Sequence, residues 1–211
     1  MTLGNLGALL LAPALVLGGG SALRTPSAAP VPAPRAVEAP VTWQIDGNHS
    51  EVAFRIRHLV SRVRGRFTQF AGTVVADPQN LAAGSVDVTI QTASITTDVA
   101  RRDEHLRSGD FFDAPNHPTI TFKSTRVQQT GDNLKVYGNL TMRGVTKPVV
   151  LDGRFTGLGG PTGHRRIGFE ATTTVNRMDY GVSWNRAAEG GGALLGDEVE
   201  ITLTIEATEK V

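Results

Sequence analysis

The chain has 211 residues, with 21 Lys and Arg against 20 Asp and Glu, two Trp, two Tyr and no Cys. The missing cysteine excludes disulfides, thiolate metal sites, cysteine nucleophiles and a lipid-modified N-terminal cysteine. The balanced charge gives no case for a nucleic-acid partner or for an anionic membrane surface.

Residues 6–17 are nearly continuous apolar sequence and run into Gly18-Gly19-Gly20. This falls short of the roughly 20 residues of a membrane span. It matches the apolar core of a secretory signal peptide, although no Lys or Arg precedes it. Residues 1–29 are therefore expected to be a leader, and the protein to be periplasmic or secreted. Residues 30–41, within the stretch PSAAPVPAPRAVEAP that begins at Pro26, are rich in Pro and Ala and have almost nothing to bury. They read as a solvated linker. One folded domain is expected over residues 42–211, long enough for a proper core.

From Val41 the chain alternates apolar and polar residues. Val41 to Ile45 reads as a first strand, closed by the turn triplet Asp46-Gly47-Asn48. In the second, Glu51 to His58, Val52, Phe54 and Ile56 share one face. Arg62 to Arg66 reads as a connection with its arginines in water. Phe70 to Ala76 and Val86 to Ile90 continue the alternation. The segment 101–125, RRDEHLRSGDFFDAPNHPTITFKST, interrupts it. Asp98/Arg102 and Asp103/Arg107 at i,i+4 spacing favour a short exposed helix there. The adjacent Phe111 and Phe112 then lead through Pro115 and Pro118 to a strand marked by Ile120 and Phe122. A hairpin turn at 130–133 precedes a strand on which Leu134, Val136, Gly138 and Leu140 share a face. Arg143 to Pro148 reads as a turn, Val149 to Phe155 as a strand, and Gly157 to Gly163 as a loop. Strands through Phe169 and through Val199 to Ile205 complete about nine, with short connections and no strand–helix–strand rhythm. The sheet is therefore expected to be antiparallel. A sandwich and a closed barrel both fit the pattern, and closure removes the exposed edges.

Enzyme signatures are missing: no G-x-S-x-G elbow, no phosphate-cradling G-x-x-x-x-G-K and no H-E-x-x-H. His49, His58 and His105 have no metal-ligand spacing, so no metal is expected. Asp103 and His105, two apart on a helix, point different ways, which argues against an acid–base pair. What remains is the apolar face. An interior of about eight strands either fills with side chains or holds one small ligand. Left open, it favours a chain-like apolar ligand.

The segments WQIDGNHS (43–50), FRIRHLVSRVRGRF (54–67), SITT (94–97), RDEHL (102–106), DFFD (110–113), PTITFKST (118–125), GNLTMRGVTKPV (138–149) and NRMDYG (176–181) follow one another in a familiar order. In that series the chain resembles the YceI-like family of bacterial polyisoprenoid-binding proteins. The resemblance implies an all-β, lipocalin-like antiparallel barrel of about eight strands with a short helical crossover. It also implies an exported protein, often a homodimer, that encloses a long-chain amphiphilic lipid. No cofactor is expected beyond a bound isoprenoid, isoprenoid quinone or fatty-acid derivative. On this reading Phe54, Ile56, Val88, Ile120, Phe122, Val136, Leu140 and Phe169 form the lumen, and Phe111 and Phe112 line its entrance. The polar head is expected to meet His49, Ser50, His58, Asp103, His105 or Arg177. The competing readings are a packed structural barrel without a ligand and a hydrolase or isomerase using Asp103 and His105.

Overall fold

A computed structural model describes residues 40–187, 191 and 193–210. The expected leader, and the linker through residue 39, lie outside the described residues. Among the described residues eleven strands join in one antiparallel sheet: β1 (Val41–Ile45), β2 (Glu51–His58), β3 (Ser61–Phe67), β4 (Phe70–Asp77), β5 (Asn80–Gln91), β6 (Ile95–Thr96), β7 (Thr119–Thr130), β8 (Asn133–Met142), β9 (Val145–Gly159), β10 (Arg166–Asn176) and β11 (Leu195–Glu209). One helix, α1 (Ala100–Arg107), crosses between β6 and β7. Eight of the strands close a ring in the order β1, β4, β5, β7, β8, β9, β10, β11 and back to β1. The protein is thus a closed eight-stranded antiparallel barrel with one short helix.

The seam is made on β11. One edge of this strand pairs with β10 along its length, from Asn176↔Glu198 to Arg166↔Thr208. The other edge takes two strands in tandem, β2 from Leu195 to Thr204 and β1 from Ala207 to Glu209. Ser50 bridges the break between them: its hydroxyl accepts from the Glu206 amide at 2.9 Å and donates to the Glu206 carbonyl at 3.1 Å. Beyond the ring, β3 folds back on β2 and meets β6 at Arg66↔Thr96 and Phe67↔Ile95.

Arg62 to Arg66 is therefore strand, not a connection. Its arginines alternate with Val63, Gly65 and Phe67, which is the period-two pattern of a strand with one face in water. The segment at 143–148 turns only at Arg143-Gly144, and β9 begins at Val145. Pro148 fits within β9 because that half of the strand pairs with β8 alone, while β10 joins only from Asp152 onward. An amide on the unpaired side is dispensable. The expected i,i+4 ion pairs do not form. Asp98 faces Arg66 across to β3 at 3.1 Å, and Arg107 donates to the carbonyls of Ala93 and Ile95.

The core is the barrel interior, from Trp43 to Ala207 in sequence. Trp43, Ile167 and Ala207 are wholly buried at the end where β1 meets β11. The Trp43 indole donates to the Ala76 carbonyl at 3.1 Å, so this end is plugged. The ring and its core lie within the compact unit Val37–Val211. Small residues make room for large ones inside. A Cβ at Gly138 would stand 2.4 Å from the Phe122 ring and 2.7 Å from the Lys123 carbonyl. Gly138→Ala is expected to lower stability by about 1–3 kcal/mol through overpacking. Gly109→Ala, with nothing within 4 Å of its Cβ, should shift it little. Chemical denaturation of both variants checks this.

Candidate functional site

An apolar cavity of about 570 Å³ runs along the lumen. Antiparallel register fixes its two ends. The plugged end carries the start of β1, the β4–β5 turn and the end of β11. The opposite end gathers the β2–β3 turn, α1 with residues 108–118, the β8–β9 turn and the segment between β10 and β11. This second end is the mouth.

All ten apolar residues expected at the lumen or entrance stand in the cavity wall: Phe54, Ile56, Val88, Ile120, Phe122, Val136, Leu140, Phe169, Phe111 and Phe112. Phe111 and Phe112 reach it from the turn after α1; the strands present the other eight inward by simple alternation, and cross-strand register stacks Val88 beside Phe122 and Phe122 beside Leu140. Phe54, Phe67 and Phe112 form a row with ring centroids 5.9 Å apart, which carries the aromatic surface from β2 over β3 to the crossover.

The six expected head-group residues separate. His58, His105 and Arg177 line the mouth end of the cavity. Asp103 lies behind the wall. Its carboxylate accepts from the Thr97 amide at 2.7 Å and from the hydroxyls of Thr96 and Thr97, and so ties α1 to β6. His49 and Ser50 do not reach the cavity, because they sit in the turn between β1 and β2 on the outside of the barrel. His49 hydrogen-bonds Asp46 there at 2.9 Å, and the oxygens of Asp46 and Glu206 stand within 4.8 Å of it. Arg166 ion-pairs both carboxylates, so a cation already occupies the centre of this cluster.

His105 turns away from Asp103 and meets Asp110 at 2.8 Å. Its ring packs edge-on against Phe111 and Trp184, each at 5.0 Å between centroids. Arg177 is 3% exposed. It donates to the carbonyls of Gly196, Val182 and Trp184 at 2.6–2.9 Å, and holds the segment after β10 against the mouth. Burial lowers its pKa, and Asp197 partly offsets this.

Trp184, Arg102, Thr97 and Ser61 also line the mouth, although the sequence reading passed over them. Trp184 lies three residues after the NRMDYG segment, and a tryptophan so close to a turn was the available signal. Arg102 donates to both the hydroxyl and the carbonyl of Thr97.

Burial works to raise the Asp103 carboxyl, but the bonds from Thr97 and Thr96 outweigh it and hold the group below its ordinary value. A carboxylate depressed in the folded state stabilises above its unfolded pKa, and that gain disappears as pH falls through the folded value. Asp103→Asn should therefore unfold at lower temperature than the wild type near neutrality. The gap should close as pH drops below about 4, measured by thermal melts across pH.

Comparison with known proteins agrees with this architecture. The family model described as the YceI-like domain matches residues 43–207. A UPF0312 protein of Pseudomonas aeruginosa strain LESB58 is 42% identical over 163 residues, which is 76% of this chain and 82% of that protein. The crystal structure of Burkholderia cenocepacia BcnA superposes with a TM-score of 0.66 at 24% identity, covering 78% of this chain and 99% of that one. A polyisoprenoid binding domain from Saccharophagus degradans, implicated in plant cell wall breakdown, superposes with a TM-score of 0.59 at 15% identity, covering 81% and 99%.

Proposed function

The chain belongs to the YceI-like family, and from that premise we propose that it is an exported carrier that holds a long-chain amphiphile with its tail in the barrel lumen. The observation that carries this reading is the cavity of about 570 Å³, walled mainly by apolar side chains, with His58, Ser61, Thr97, Arg102, His105 and Arg177 gathered at the mouth and Ser85 and Glu170 farther in. Its volume is typical of a ligand site. At roughly 30 Å³, the share of one water in the liquid and close to the size of a methylene group, it takes on the order of twenty carbons. Each buried methylene contributes about 0.8 kcal/mol before ordering costs, so a tail of this length supplies enough for stable retention.

The polyisoprenoid binding named for the Saccharophagus degradans neighbour supports an isoprenoid tail, as in an isoprenoid quinone, and the apolar wall accepts the chain of a fatty-acid derivative by the same burial. His58, Arg102 and His105 at the mouth meet its polar head. The apolar run at residues 6–17 supports export. The reading is of binding rather than catalysis: Asp103 and His105 have different partners and share no substrate-facing geometry.

Two measurements test the reading. Affinity for isoprenoid quinones of increasing tail length should rise to about twenty carbons and then level off. Phe54→Asp places an uncompensated carboxylate in the lumen and should weaken retention on the order of a hundredfold, while circular dichroism still reports a barrel. Binding that is indifferent to both tail length and Phe54→Asp would take the tail out of the lumen.

A further inference from the structure

The β2–β3 hairpin carries charge and apolar surface that the barrel itself does not use. On its outer face arginine stands opposite arginine: Arg55 faces Arg64 and Arg57 faces Arg62. Like charges directly across a strand pair are destabilising. Glu200 on β11 ion-pairs both Arg55 and Arg62, and Asp98 takes Arg66 at 3.1 Å. Arg57 and Arg64 meet no carboxylate among the described residues, and Arg57 reaches only the Leu59 carbonyl at 3.5 Å. Residues 51–67 hold five arginines and a single acidic residue, Glu51. The whole-chain balance of charge conceals this local excess.

The tip of the hairpin is Leu59-Val60. Val60 is fully exposed and Leu59 is 43% exposed. Leu59 also has a φ of 51°, in the left-handed region that bulky residues rarely adopt. A hairpin turn of this length favours Gly, Asn or Asp, so folding gives no reason for an apolar pair in water. The tip stands on the rim of the mouth. His58 and Ser61 on either side of it line the cavity, and the Leu59 amide donates to the Leu194 carbonyl at 3.0 Å. The other exposed large apolar side chains are distributed in the same sense. Val99, just ahead of α1, and Met178, in the turn after β10, are at the mouth end, and among the described residues only Leu158 lies at the plugged end.

We propose that this hairpin docks the barrel, mouth first, on a bilayer surface that carries anionic phospholipid. Leu59 and Val60 enter the boundary between headgroups and acyl chains, and Arg57 and Arg64 meet lipid phosphates. A short apolar wedge anchors weakly by itself, and a basic patch beside it supplies the second signal that peripheral binding needs. In this orientation a lipid tail passes between bilayer and lumen without crossing water. The proposal rests on the carrier reading for what passes through the mouth; the docking itself is tested independently of it.

The test is flotation of the compact unit 37–211, which omits the N-terminal apolar run, with vesicles of phosphatidylglycerol and phosphatidylcholine or of phosphatidylcholine alone. The unit should float with the anionic vesicles only, and less as salt rises. Val60→Asp, and separately Arg57→Gln with Arg64→Gln, should each weaken flotation on the order of tenfold. Both should retain a detergent-solubilised isoprenoid quinone as the wild type does, and thermal melts identify a misfolded variant, for which Val60→Ser substitutes. Absence of flotation, equal flotation with neutral vesicles, or flotation unchanged by both sets of substitutions overturns the docking, and intact quinone retention then leaves the carrier reading standing. Normal flotation without quinone retention does the reverse.

Discussion

Closure of the ring is the constraint on which the rest of the structure depends. Eight strands in a closed antiparallel sheet enclose an interior that is either filled by side chains or occupied by one small ligand. Here the closing seam is only three residue pairs long, from Trp43↔Glu209 to Ile45↔Ala207. It is reinforced from both sides. Trp43 fills the lumen beneath it, and Arg165, paired with Glu209 at 2.7 Å, lies over the Trp43 ring. Trp43 takes up that end, and the middle of the barrel is left to Val, Ile and Leu and to rings that lie over glycine. The cavity is what remains.

The same closure makes the two ends chemically different. Strand turns finish the plugged end. The mouth is assembled from α1, the Phe111-Phe112 turn, the segment clamped by Arg177 and the tip of β2–β3. The hairpin tip is held by the ladder and by the Leu59 amide on the Leu194 carbonyl, and the other pieces lean on side-chain to backbone bonds: Asp103 to the Thr97 amide, Arg107 to Ala93 and Ile95, Arg177 to three carbonyls. A rim built in this way has lower local stability than the ladder, which suits a site through which a ligand must enter.

Much of this was legible in the sequence, and the failures have physical causes. Alternation placed every lumen residue on the correct face, because parity along a strand fixes the side that a residue faces. Parity says nothing about height along the barrel, and so His49 and His58, both near strand ends, were grouped although they lie in different places. The turn before β9 read too long, out to Pro148, although a proline there only lacks an amide that no neighbour requires. The strand β3 was hidden by its arginines, whose charge suggested water on all sides while Val63 and Phe67 turned inward. Asp103 and Arg177 looked like exposed head-group ligands, since nothing in a sequence reveals that a charged side chain is saturated by backbone partners after folding. The arginine pairing across β2 and β3 was likewise out of reach, because opposite residues are set by hairpin register.

Whether the lumen holds a lipid tail is decided by native mass spectrometry of the protein isolated from its own organism, with solvent extraction of the same sample. A loaded barrel gives a bound species of defined mass that organic solvent releases intact, with a long apolar chain. A protein that carries no bound mass, and that takes up none when offered isoprenoid quinones, would contradict the carrier reading.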